Sequence, residues 1–194
     1  MKWSIQKLPP FLALESKIAT DESAMSAAES LAETVSDHVR RAASSRHKTA
    51  SSLGATPTHH LERGAHEIVA TSEGANAVVT VPIPGITRAF GDLDIRPDGK
   101  KALTIPINAA AYGWRAPELE LRGWKLFTLP AKQGPGAGIL FGRHADAKST
   151  VALYLLRTHA HVPQDRGLMP TDEEMGEAMA YGVTSAIEAE RFAS

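Results

Sequence analysis

Residues 150–162 form the most apolar stretch of the chain. Val151, Leu153 and Leu155 alternate there with Ala152, Tyr154 and Leu156, so an extended segment would carry apolar side chains on both faces. That pattern predicts the central strand of a sheet. Two hairpins are expected beside it. Residues 66–71 and 77–81 are β-prone runs separated by Ser72-Glu73-Gly74-Ala75-Asn76, and residues 125–129 and 138–142 flank Gln133-Gly134-Pro135-Gly136. In a further strand Leu103, Ile105 and Ile107 alternate with Thr104, Pro106 and Asn108. Pro106 has no N–H to give a ladder, which restricts this strand to an edge, an end or a bulge.

Helical periodicity occurs at both ends of this β-rich region. Met25, Ala28, Leu31, Val35, Val39 and Ala42 recur at spacings of three and four, with Thr20 or Asp21 as cap, which predicts a helix to about Ala43 whose narrow, Ala-rich stripe lies close on a flat surface such as a sheet. Near the C-terminus Thr171-Asp172-Glu173-Glu174 has the form of a capping box. Met175, Met179, Gly182, Val183, Ala186 and Ile187 then follow at helical spacing, and Met175 and Met179 are read as core. A short helix is expected over 57–64, after the Thr56-Pro57 start signal. Residues 44–56 are polar and read as a mobile loop, and residues 112–124 as a long connection. Residues 1–16 carry Trp3, Ile5, Leu8, Phe11 and Leu14 around Pro9-Pro10 and read as a docking arm. The expected fold is therefore α+β, an antiparallel sheet packed by a long N-terminal helix and a C-terminal helix. The 194 residues are counted as a single domain with an arm (1–16) and a body (17–194).

Composition removes several function classes. With no cysteine, thiolate catalysis, Cys-ligated zinc and disulfide frameworks are excluded. No window approaches the roughly 20 apolar residues of a membrane helix, and Pro9-Pro10 interrupts the place where a signal peptide would need an apolar run, so a chain without a membrane partner, cytoplasmic when made, is expected. A net charge of −1 gives little long-range pull on polyphosphate. The charge is uneven, however. Arg40, Arg41, Arg46, Lys48 and Arg63 cluster early, whereas Asp172, Glu173, Glu174, Glu177, Glu188 and Glu190 face only Arg191 late, an asymmetry that suits either solvated helix faces or head-to-tail contact between copies.

The eight histidines are the obvious place to seek chemistry. His159 and His161, at i and i+2 on a strand, would share a face, and His59 or His60 with Glu62 could complete a metal site, the basis of an alternative reading as a metal-dependent hydrolase. No H-E-x-x-H helix supports it, and loop histidines are the simpler reading. No G-x-S-x-G elbow is present, the glycine-rich run at 133–138 lacks the Lys-Ser/Thr of a phosphate loop, and Asp92, Asp94 and Asp98 miss the calcium-loop spacing. No catalytic, cofactor or metal-ligating residue is therefore assigned. The residues singled out are candidates for inter-subunit or partner contact: Trp3, Trp114 and Trp124, each amid polar neighbours, with Arg40, Arg46, Lys48 and Arg115.

Several runs carry a resemblance. They are Gly54-Ala55-Thr56-Pro57-Thr58-His59-His60-Leu61-Glu62-Arg63, Pro84-Gly85-Ile86-Thr87-Arg88-Ala89-Phe90 and Ile95-Arg96-Pro97. Further on come Lys101-Ala102-Leu103-Thr104-Ile105-Pro106-Ile107, Ala111-Tyr112-Gly113, Val162-Pro163-Gln164-Asp165-Arg166 and Leu168-Met169-Pro170. In order and spacing over residues 20–190 they resemble the virion morphogenesis proteins of tailed bacteriophages: neck, tail-completion and minor tail protein Z types. The resemblance implies a small α+β subunit without cofactor or catalytic residue, assembled as a homo-oligomeric ring, a hexamer in such families. Its implied partners are head connector or adaptor proteins and tail tube or terminator proteins, with DNA only passing through a lumen. The implied location is the virion neck or tail.

Overall fold

The computed structural model describes residues 2–4, 21–46, 48–130 and 138–193. Their architecture is α+β, with antiparallel sheets and a long N-terminal helix packed against the C-terminal helix. The chain groups into two compact units. The first takes the segment up to Ser45, His59–Ala89 and the segment from Asp165 onward; the second takes Arg46–Thr58 and Phe90–Gln164.

In the first unit, α1 (Asp21–Ala43) lies on a three-stranded antiparallel sheet of order β1-β3-β2, formed by β1 (Lys2–Ser4), β2 (Val69–Glu73) and β3 (Asn76–Thr80). Of the expected arm, β1 alone is described; residues 5–16 lie outside the described residues. The β2–β3 hairpin is tighter than the five-residue connection expected: Glu73 pairs with Asn76, and the turn is Gly74-Ala75. Gly74 has φ +60°, the left-handed conformation that a two-residue hairpin needs at its first position. Leu31, Val35 and Val39 of α1 join Leu61, Val79, Val81, Ile83, Ile86 and Leu168 in the core. Val35, Val39 and Leu168 are almost fully buried, each worth about 1.5–3 kcal/mol relative to an exposed position. The expected helix over 57–64 begins later, as α3 (His60–Ala65), because His59 takes a left-handed conformation (φ 51°) that no α-helix accommodates.

The C-terminal helix α5 (Asp172–Ala193) runs along α1. Its capping box forms as expected: the Thr171 N–H donates to Glu174 Oε2 at 2.8 Å, and the Glu174 N–H donates to Thr171 Oγ1 at 3.2 Å. The backbone bond from Thr171, then its hydroxyl, and after them the charges of His38 and Arg41, lower the Glu174 pKa. A carboxylate lowered in this way stabilises the fold above its ordinary pKa of 4.5, and the contribution disappears as pH falls through the native value. Met175 and Met179 pack against the core, as expected. Farther along, Ser26 Oγ donates to the Gly182 carbonyl at 2.8 Å. A Cβ on Gly182 would collide with the Ser26 carbonyl oxygen and come within 2.7 Å of Ala27 Cα. Only glycine lets the two backbones approach so closely.

In the second unit, a four-stranded antiparallel sheet has the order β5-β8-β7-β6, from β5 (Leu103–Pro106), β6 (Trp124–Pro130), β7 (Gly138–His144) and β8 (Val151–Arg157). β8 is interior and β5, ending in Pro106, is an edge strand, both as expected. The predicted strand over 150–162 is nevertheless broken at Thr158-His159. Beyond the break, β9 (Ala160–Val162) pairs with β4 (Leu93–Ile95) in a separate two-stranded sheet. The β6–β7 hairpin forms in the expected place, and its turn lies outside the described residues. Two loop expectations are corrected. Residues 44–56 contain a helix, α2 (Lys48–Leu53), anchored by the fully buried Ala50, and residues 112–124 contain α4 (Ala116–Leu121), anchored by Leu119. Pro117 sits in the first turn of α4, where its missing N–H costs nothing.

Replacing Gly182 by alanine must push α5 off α1, because the obstructing atoms are backbone. Chemical denaturation should show Gly182→Ala destabilised by about 1–3 kcal/mol. Gly176→Ala on the same helix, where an added Cβ meets nothing within 4 Å, should show no loss.

Candidate functional site

The candidate contact residues are dispersed. Trp3 lies on β1 with its backbone opposite Val79, and its side chain is outside the described residues. Arg40, in the last turn of α1, is ion-paired with Asp37. Arg46 and Lys48 belong to the second unit, so the early basic cluster is divided between the units. The acidic start of α5 and the basic end of α1 lie together within the first unit: His38 and Arg41 act electrostatically on Glu174, and His38 Nε2 is 3.3 Å from the Gly167 carbonyl. Part of the charge asymmetry is thus satisfied inside one chain.

Trp114, Arg115 and Trp124 are in the second unit, around α4. Trp114 is 41% exposed, with the Arg122 guanidinium carbon 3.4 Å from its ring centroid. The Trp114 carbonyl accepts a 2.9 Å hydrogen bond from the buried Tyr154 hydroxyl, and burial, with the charge of Glu118, raises the Tyr154 pKa and keeps the phenol a donor. The Arg115 N–H donates to Glu118 Oε2 at 2.7 Å, which caps α4 and leaves the guanidinium exposed. Trp124 opens β6 rather than lying in a loop. It packs against the core, with the His144 ring edge-on at 5.3 Å.

His59 and His60 are in the first unit and His159 and His161 in the second, with His159 outside β9, so the shared strand face expected for the last two does not exist. Among the described residues no group of three or more His, Asp or Glu is placed to hold a metal ion. His161 instead ties β9 to β4: its Nδ1–H donates to Asp94 Oδ1 at 3.0 Å, its Nε2 is 3.7 Å from Asp92 Oδ2, and Asp92 Oδ1 also accepts the Gln164 N–H at 2.8 Å.

The arrangement that sequence reasoning missed is the contrast between the two faces of the four-stranded sheet. Ala111, Leu119, Leu140, Leu153 and Tyr154 form its core on one face, where α4 packs on β6 and the turn Ala109–Ala111 packs on β8. On the other face the strand registers align Ile105 with Leu155 and Ile139, and Ala152 with Phe141 and Phe127. None of these six joins the core cluster. Phe127 is 40% exposed and stacks on Phe141 at 6.0 Å. Lys125 pairs with Arg143 on the same face, and both are exposed, as is Arg157. The four strands contain no Asp or Glu. A shallow groove at the sheet end continues the basic character through Lys125, Arg143, His144 and Lys148. The hairpin was legible in the sequence, but the register that sets Lys125 opposite Arg143 depends on the turn length and was not. Comparison with protein families, curated proteins and solved structures finds no match. No described helix is long and apolar enough to cross a membrane.

His161 yields a pH prediction. The Asp94 hydrogen bond, then the Asp94 and Asp92 charges, raise its pKa above 6.5 against an opposing desolvation effect. Its bond across β4–β9 is therefore complete below 6.5 and is lost as pH rises through the native pKa. NMR titration should place His161 above the ordinary value and Asp94→Asn should lower it. Exchange at 160–162, corrected for intrinsic rate, should be faster at about pH 8 than at about pH 6 in the parent chain, with the difference reduced in the variant.

Proposed function

We propose that this chain is a structural subunit of a tailed phage or phage-like particle, a neck or tail-completion protein that joins the head connector to the tail as part of a ring. The observation that carries the reading is the half-covered sheet of the second unit. A four-stranded sheet with a packed core on one face and apolar side chains, Phe127 and Phe141 among them, on the other is suited to burial against a partner. Trp114, held under Arg122 and anchored by Tyr154, adds a rigid aromatic contact of the kind that concentrates binding energy. Among the described residues the edge strand β5, ending in Pro106, offers a short unpaired ladder. The specific setting comes from the sequence resemblance quoted above. In this role the protein acts by shape and multivalent contact, and its partners are copies of itself, connector or adaptor proteins and tail tube or terminator proteins.

Deleting the gene from the phage or prophage that carries it should leave separate heads and tails under the electron microscope. Supplying the intact chain should restore joined particles, and Trp114→Ser should restore them poorly while melting like the parent. Joined, infectious particles in the deletion strain would contradict the proposal.

A further inference from the structure

The partly covered sheet face, with Phe127 exposed and its apolar neighbours half-buried, has a chemical counterpart on the same chain. On α5 the exposed positions Glu173, Glu177, Tyr181, Thr184, Glu188 and Phe192 recur at spacings of three and four and so form one stripe, with Arg191 at its edge. Tyr181 is 71% exposed and Phe192 91%, unusual for large aromatics on a helix whose other side packs on α1. The stripe is thus apolar at two points and acidic between and before them. The sheet face is apolar at its centre, basic at Lys125, Arg143 and Arg157, and carries no acid on its strands.

We infer that the outer face of α5 in one copy docks on the partly covered sheet face of the second unit in another copy. Charge decides this pairing against the symmetrical ones. Two sheet faces set together would bring Lys125, Arg143 and Arg157 near the same cations, and two α5 stripes would bring glutamate near glutamate; only helix on sheet opposes the signs. The sizes agree as well. The three seven-residue strands are about 23 Å long, and with the shorter β5 the sheet is about 14 Å across, while the stripe from Glu173 to Phe192 is about 28 Å long on a helix about 10 Å wide. Tyr181, which lies between Glu177 and Glu188 on the stripe, then meets the apolar rows around Phe127 and Phe141, while the two glutamates, about 16 Å apart, lie over the basic strand ends, Lys125 with Arg143 at one and Arg157 at the other. A contact between two different patches is heterologous, so repeating it adds copies head to tail until a ring closes or a filament grows. The contact deepens the assembly reading and rests on it for its biological setting.

The test uses the full chain and two double variants at exposed positions, Glu177→Lys with Glu188→Lys and Lys125→Glu with Arg143→Glu, by multi-angle light scattering over a concentration series. The parent chain should gain mass with concentration. Each variant alone should associate at least about tenfold more weakly, as should Tyr181→Ala, with circular dichroism and melting unchanged. An equimolar mixture of the two charge variants should regain the parent's association, since each reversed helix then faces a reversed rim. A parent chain that stays monomeric throughout would overturn the inference, and so would a mixture that stays as dissociated as its components. The proposed function fails separately, through joined particles in the deletion strain, so either can fall without the other.

Discussion

The approach of α5 to α1 at Gly182 is the contact on which the first unit depends. With no side chain between the helices, Ser26 reaches the Gly182 carbonyl and the backbones nearly touch, which fixes the antiparallel alignment of the pair. That alignment sets the acidic start of α5 near His38 and Arg41, so the helix termini carry opposite formal charge and the two dipoles oppose. It also determines which side of α5 faces outward. Ala178, Gly182 and Met179 turn inward, and Tyr181 and Phe192 are left on the surface by the same rotation.

The second unit is governed by a different constraint, a sheet whose core gathers on one side. Leu140, Leu153 and Tyr154 are buried beneath α4, and an irregularity at Leu140/Phe141 accommodates the adjacent burial of Leu153 and Tyr154. The opposite face keeps its apolar rows only partly covered, at a cost a protein tolerates where a partner will cover them. His161, by contrast, belongs to a local tie with Asp94.

Long-period features were legible in the sequence. The α1 stripe, the α5 capping box, both hairpins, the interior position of 151–157 and the edge position of Pro106 follow from periodicity, caps and proline chemistry, which act locally. The short helices α2 and α4 were not legible, because six residues carry less than two turns of pattern and each is held by one buried residue, Ala50 or Leu119, whose burial is a tertiary event. The break at Thr158-His159 was hidden because the apolar run continues through Ala160 and Val162 on the other side. Of the candidate contact residues, Trp114 and Arg115 are exposed, whereas Trp124 is half-buried and packs against the core. The basic, half-apolar sheet face emerges only once register places Lys125 opposite Arg143.

The most direct measurement is photo-crosslinking from position 127, with a photoreactive phenylalanine analogue replacing Phe127, in a mixture of isotopically heavy and light chains. Mass spectrometry of the linked peptides distinguishes contacts between copies from contacts within one. Docking of α5 on the sheet of a second copy predicts mixed heavy–light links from position 127 to the α5 stripe around Tyr181 or Phe192. Links within a single chain only, or links between copies that avoid α5, would contradict it.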